Sequence, residues 1–276
     1  MIPFFNEINA VLQRQVPSQF QRTLWSHASA RMRLFIAVNI TVLISGGLAL
    51  DALMSKNGQW VTNVWAFAVF AVLLYLGRAT ERWTLIICMT LGGLGEIVLS
   101  LVWRLYDYQF GNLPLFVPPG HAMLMLLGVL IAQQLDGAFY PANTLKNAYL
   151  RASWLVILPV LGLSYAAFVL VRGTDVFGAA LFLVFLACMI FGRAKTLYVT
   201  MFLLALIMEL YGTALENWRW AASVPAAVFN PANSISAANP PFSAGAFYCV
   251  LDLIVIGIMA RNSDAPATAA AAVKQS

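Results

Sequence analysis

The chain has 276 residues, of which 61% are hydrophobic and only 10% charged; its mean hydropathy is +0.80 and its net charge +5 at pH 7. A soluble domain carries about 25% charged residues, so this composition excludes a water-soluble globule. The positive charge gathers at one set of loops, without an aromatic-interleaved basic stripe. That pattern fits orientation against anionic headgroups and argues against a nucleic-acid partner.

Residues 1–33 hold Arg14, Arg22, Arg31 and Arg33 and lack the apolar centre of a cleavable signal, so the first span is expected to direct insertion. Within them, Phe4 to Leu12 reads as an amphipathic stretch, ended by Pro17, lying on the cytoplasmic membrane surface. Eight apolar runs follow, near 34–53, 60–77, 84–105, 116–135, 153–171, 175–192, 196–215 and 242–260. About 20 apolar residues cross a hydrocarbon core about 30 Å thick as a helix. Backbone polar groups must be paired inside lipid, and runs without alternation exclude a β-barrel. The expected fold is therefore all-α, a polytopic bundle of about eight transmembrane helices over 34–260. Residues 261–276 read as a low-complexity tail without structure.

Charge sets the expected orientation. The N-terminus, the loops near 78–83, 136–152 and 192–196, and the C-terminus hold 12 of the 16 basic residues; the opposite side holds Lys56, Arg104, Arg172 and Arg219. Positive residues favour the cytoplasmic side, which puts both termini there, in a cytoplasmic (inner) membrane. Cys88, Cys188 and Cys249 lie in apolar runs without CxxC or His at ligand spacing, so they read as small buried hydrophobes; no metal site is expected.

Two short strings recur 115 residues apart: Gly77-Arg78-Ala79 with Gly192-Arg193-Ala194, and Trp103-Arg104 with Trp218-Arg219. Pro118-Pro119 and Pro240-Pro241 open the fourth and eighth runs. These matches point to a 4+4 internal repeat with halves 34–135 and 153–260. Proteins built from such repeats often bind ligands between the halves.

Ionisable residues inside spans are costly and face the bundle interior. Glu96, Glu209, Asp252 and His121 are the candidates, with Asp51 at the end of the first run. Glu96, Ser100 and Trp103 share a helical face, as do Glu209, Thr213 and Glu216. The carboxylates lie 113 residues apart, so either one helix carries a local bulge or they are not counterparts. Glu96 and His121 belong to adjacent antiparallel helices; His121 reads either as a hydrogen-bonded structural residue or as the partner of Glu96 in an acid/base pair. Arg104, Tyr106, Tyr108, Glu216, Trp218, Arg219 and Trp220 stand beside them as candidate substrate-binding residues. The two arginines there either hold an anion or pair with Asp107 and Glu216, while the aromatics also fit an interfacial belt. The loops 105–115 and 216–241 are equally candidates for docking a protein partner. His27 stands apart, in the N-terminal segment.

The pattern Glu96…Tyr106-x-Tyr108…Pro114…Val117-Pro118 resembles one in bacterial membrane carotenoid hydratases, and the resemblance implies an isoprenoid or lipid substrate. Walker A, GxSxG, HExxH, GxGxxG and multi-His motifs are absent from the sequence, which weighs against ATP-driven transport, serine hydrolysis and iron-dependent oxidation. Three functions remain. The first is a lyase-like, cofactor-independent intramembrane enzyme in which Glu96 or Glu209 is the acid, with His121 or the other carboxylate as base. It would hydrate, cyclise or isomerise a hydrophobic small molecule. The others are a proton- or cation-coupled carrier and a non-catalytic subunit or assembly factor.

Overall fold

The computed structural model describes residues 23–136, 144–227 and 230–273. Within them the chain is all-α, with eight helices and two small β-ribbons. In chain order these are α1 (Ala30–Leu53), α2 (Ser55–Leu76), α3 (Ala79–Glu96), a π-helical turn (Ile97–Val102), β1 (Tyr106–Tyr108), α4 (Val117–Leu135), α5 (Thr144–Arg172), α6 (Val176–Phe191), α7 (Lys195–Ala214), β2 (Trp218–Trp220), β3 (Ser223–Ala227), β4 (Asn230–Ser236) and α8 (Ala246–Val273). Each expected apolar run falls on one of these helices. Five spans, Ala30–Leu53, Lys56–Leu76, Ala79–Val102, Ser153–Arg172 and Lys195–Ala214, are long and apolar enough to cross a membrane; Val176–Phe191 and Ala246–Ala260 are shorter apolar helices. The molecule is therefore mostly helical and compatible with a membrane-embedded protein.

The helix α4 shows why hydropathy alone underrates one run. It begins Val117-Pro118-Pro119-Gly120-His121 and ends Gln133-Gln134-Leu135, yet nearly every residue between is buried. Its polar ends meet protein instead of lipid: the Gln133 amide donates to the Leu24 carbonyl at 2.8 Å, and His121 meets Glu96. Around it, α3, α4, α7 and α8 form a ring in which α3 and α7 each touch both α4 and α8. The pair α1 and α2 packs together and against α4; the pair α5 and α6 packs together, with α5 also on α7 and α6 also on α8. Burial grades accordingly, with half of the α7 window inside but only 17% of that in α5. The apolar outer faces, including Leu34, Tyr75, Val171 and Ile190, are left for a non-aqueous surrounding.

Corners are set locally. Gly77 and Gly192 cap α2 and α6 with extended backbones, so the recurring Gly-Arg-Ala string marks two like corners. At the first corner, Glu81 gathers the chain. Its carboxylate accepts the backbone N–H groups of Arg78 and Trp25, both at 2.6 Å, and lies 3.2 Å from His27 Nδ1. Trp25 is thereby buried, so residues 23–29 are fastened to the bundle. The amphipathic stretch expected over Phe4–Leu12 lies outside the described residues. Asp175 does similar work at α6: it caps Gly178 N–H and accepts the N–H groups of Ala238 and Phe242, each at 3.0 Å, which holds the chain entering α8.

Two features differ from the sequence expectation. The segments read as loops at 105–115 and 216–241 contain strands. The β1–β2 ribbon is antiparallel, pairing Tyr106 with Trp220, Asp107 with Arg219 and Tyr108 with Trp218; β3 and β4 pair antiparallel from Ser223–Ser236 onward. In addition, the backbone of α8 runs helical to Val273, past the expected span end at 260 and through an alanine-rich stretch. Alanine is the strongest helix former, which favours continuation there.

Candidate functional site

The ribbon organises the site. In a strand, alternate side chains face opposite sides, so Tyr106 and Tyr108 turn inward together, as do Trp218 and Trp220, while Asp107 and Arg219 are left exposed. Aromatic residues suit a half-buried pleated surface. The ribbon follows directly from α3 and α7, so each pair of inward rings lands on the carboxylate of the helix before it.

Glu96 receives three contacts. Its Oε2 accepts the hydroxyls of Tyr106 at 2.7 Å and Tyr108 at 2.8 Å, and its Oε1 lies 3.2 Å from His121 Nε2. Glu209 is held by indoles: its Oε2 accepts Trp218 Nε1 at 2.8 Å and Trp220 Nε1 at 3.0 Å. Both carboxylates are buried, at 5% and 7% exposure. Burying a charged carboxylate is expensive unless hydrogen bonds compensate, and bonds to a charged group contribute about 1.5–3 kcal/mol each. Loss of water, together with the neighbouring Glu96 carboxylate, pushes both tyrosine hydroxyls well above their ordinary pKa, so they remain donors.

The His121 ring defines where a proton sits. Its Nδ1 lies 3.0 Å from the Val117 carbonyl, one helical turn back. A carbonyl only accepts, so Nδ1 carries hydrogen. Nε2 then faces Glu96 Oε1, and a contact between two bare acceptors would be repulsive. One proton therefore belongs to the Glu96–His121 pair, as imidazolium with carboxylate or imidazole with carboxylic acid. The imidazole is further fixed by Tyr248 of α8, stacked with ring centroids 5.1 Å apart and an interplanar angle of 10°. Gly92 makes room for it: a Cβ there would stand 2.8 Å from His121 Cβ and Cγ.

Two cavities flank this cluster, and Glu96, Tyr106, His121, Glu209 and Tyr248 line both. The smaller, about 70 Å³, adds Tyr108, Trp218 and apolar side chains of α1, α2 and α4. The larger, about 380 Å³, lies between α3 and α8 and adds Trp220. The two carboxylates thus line the same two cavities.

Of the ten candidate residues, seven come together: Glu96, His121, Glu209, Tyr106, Tyr108, Trp218 and Trp220. Arg104, Glu216 and Arg219 do not. All three are exposed, and none lines either cavity. Arg104 and Glu216 occupy the positive-φ residues (57° and 61°) leading into β1 and β2, while Arg219 stands opposite Asp107 on the outer face. The Trp103-Arg104 and Trp218-Arg219 strings are therefore not counterparts: one precedes its strand and the other lies within it. Ser100 and Trp103 line neither cavity, and the Thr213 hydroxyl donates to the backbone carbonyls of Glu209 at 2.7 Å and Leu210 at 3.2 Å, not to the Glu209 carboxylate. Asp51 and Asp252 are buried away from both cavities. The three cysteines are free and buried, and no metal-holding group of His, Cys, Asp and Glu occurs among the described residues.

Tyr248 is the residue that sequence reading passed over. It had no polar neighbour in sequence to single it out, although its place one turn before Asp252 in the eighth run was a weak sign. Trp25, Glu81 and Asp175 also escaped notice, as anchoring residues. A scan of the chain against protein-family models, curated proteins and solved structures yields no match.

Proposed function

We propose that this chain is an intramembrane enzyme that performs proton-transfer chemistry on an apolar, isoprenoid-like or lipid substrate without a metal. The observation that supports it is the 3.2 Å contact of Glu96 with His121, facing across one interior a second carboxylate on Glu209. The Glu96–His121 pair delivers its proton to a carbon–carbon double bond. The proton bonds to one carbon and the π electrons leave the other as a cation. Aromatic faces attract cations, and Trp218, Trp220 and Tyr248 line the place where that charge develops. Glu209 then removes a proton, from an incoming water in hydration or from an adjacent carbon in isomerisation or cyclisation. Glu209 releases that proton to solvent, solvent returns one to the Glu96–His121 pair, and the balance closes.

A cation carrier would present carboxylate oxygens to its ion. Here one oxygen of each carboxylate already accepts two O–H or N–H donors from the same chain and Glu96 Oε1 faces His121, which favours a fixed acid/base site. In this reading all eight helices cross an inner membrane, both termini face the cytoplasm, and the two four-helix halves face each other across the carboxylates.

The test follows the proton. Membranes carrying the protein are incubated in deuterated water with linear polyene isoprenoids, and lipids are analysed by mass spectrometry. Hydration, isomerisation and cyclisation all leave a new carbon–deuterium bond. The wild type is expected to enrich one product in deuterium, and Glu96→Gln to abolish this at equal protein level. Equal enrichment in both would overturn the assignment.

A further inference from the structure

The β1–β2 ribbon covers the carboxylates from the end of the bundle, so a ligand needs another way in. The larger cavity supplies one. Its floor is the polar cluster, its walls are apolar side chains such as Leu91, Phe247 and Leu251, and its rim is formed by Leu94 and Val98 beside Ile254. The rim residues are 54%, 45% and 46% exposed, so the cavity reaches the outer surface between α3 and α8. At the same rim Gly95 leaves a gap: a Cβ built there meets nothing within 4 Å. The π-helical turn that starts at Ile97 lies beside this opening, and such turns often occur at functional sites.

We infer that the space between α3 and α8 is a lateral binding site for one long apolar chain, which enters from the hydrocarbon layer past Gly95 and brings its inner end to Glu96 and Glu209. This rests on the intramembrane-enzyme reading and narrows its substrate class. Rim and walls carry no hydrogen-bonding or charged side chain; polar groups occur only at the floor. A charged headgroup would be unpaired while passing such walls, at the cost of burying an unsatisfied ion. The part of the substrate that enters is therefore apolar, and any headgroup stays outside.

The experiment reads occupancy without needing turnover. The protein in liposomes is irradiated with a long-chain alcohol bearing a diazirine at the end remote from its hydroxyl, and the adducts are mapped by mass spectrometry. Adducts are expected on the inner wall, at Leu91, Leu251 and Tyr248. Gly95→Phe fills the opening and is expected to lower them by about tenfold or more, while adducts on the outward Val171 and Leu183 stay unchanged. Ile254→Trp narrows the same opening from α8 and gives the same readout should Gly95→Phe not fold. Adducts confined to Leu94, Val98 and Ile254, or inner adducts that persist in both variants, would overturn the proposal. Glu96→Gln keeps the inner adducts, so loss of catalysis with retained labelling separates failure of the chemistry from failure of the route.

Discussion

The rings of Tyr106 and Trp220 lie 4.6 Å apart between centroids, and each binds a different buried carboxylate: Tyr106 donates to Glu96, Trp220 to Glu209. Cross-strand pairing in the β1–β2 ribbon thus joins two helices whose acidic residues are 113 positions apart in the chain. The ribbon acts as both roof and donor set. Its perturbation should register at both carboxylates.

Removing one hydroxyl tests the Glu96 half. Tyr106→Phe and Tyr108→Phe each delete a donor to the same oxygen, and each should lower stability by about 1.5–3 kcal/mol. The double variant should depart from the sum of the singles, because the carboxylate then loses its last hydroxyl partner. Unfolding in mild detergent measures all three; values within error of wild type would show that these bonds do not hold the carboxylate.

Gly212 tests the Glu209 half. A Cβ on Gly212 would run into the Trp218 ring, so Gly212→Ala should push that indole from Glu209 and cost about 1–3 kcal/mol. In a Trp218→Ala background the same change should cost little. An undiminished cost in that background would separate the two residues energetically.

Neighbouring glycines of α3 should give opposite signs. Gly92→Ala places a methyl 2.8 Å from His121, displacing the imidazole from Glu96 and destabilising by about 1–3 kcal/mol. Gly95→Ala meets open space and should stabilise by about 0.5–1 kcal/mol through reduced backbone freedom. Thermal unfolding of both variants, side by side, decides the matter.

Glu81→Ala should release the entry segment. The carboxylate holds the Trp25 and Arg78 N–H groups and contacts His27, so hydrogen exchange at residues 23–29 should accelerate while exchange in α4 remains slow. Unchanged protection at the Trp25 amide would mean that Leu24 and Trp25 burial alone fastens the segment.

Orientation has its own test. Cysteine placed at the exposed Lys56 or Arg172 should react in intact cells with a membrane-impermeant maleimide, while cysteine at Arg78 or Arg193 should react only after permeabilisation. The native cysteines are buried and free, giving a low background. The reverse pattern would invert the proposed topology.

Much of the helical layout was legible because long apolar runs without alternation are read directly as helices. Glu96, Glu209 and His121 stood out for the complementary reason, being ionisable where ionisation is costly. The offset of 115 taken from the Trp-Arg strings joins residues that are not counterparts; the strands lie 112 apart and the carboxylates 113. Glu96 lies eight residues before the positive-φ Arg104, whereas Glu209 lies seven before the positive-φ Glu216, and the π-helical turn absorbs the extra residue. Tyr-Asp-Tyr and Trp-Arg-Trp carried a strand signal in their alternation, but three residues are too short to outweigh a loop reading.

What the sequence determined by itself was therefore the class of elements and the identity of the costly residues, since both follow from local composition and period. Only the tertiary structure decided that the aromatic pairs face inward and Arg104, Glu216 and Arg219 outward. It alone decided that Tyr248 stacks on His121 and that the cavity opens sideways. Those outcomes depend on strand register and on helices distant in the chain, and no local pattern encodes which face of a three-residue strand meets a carboxylate.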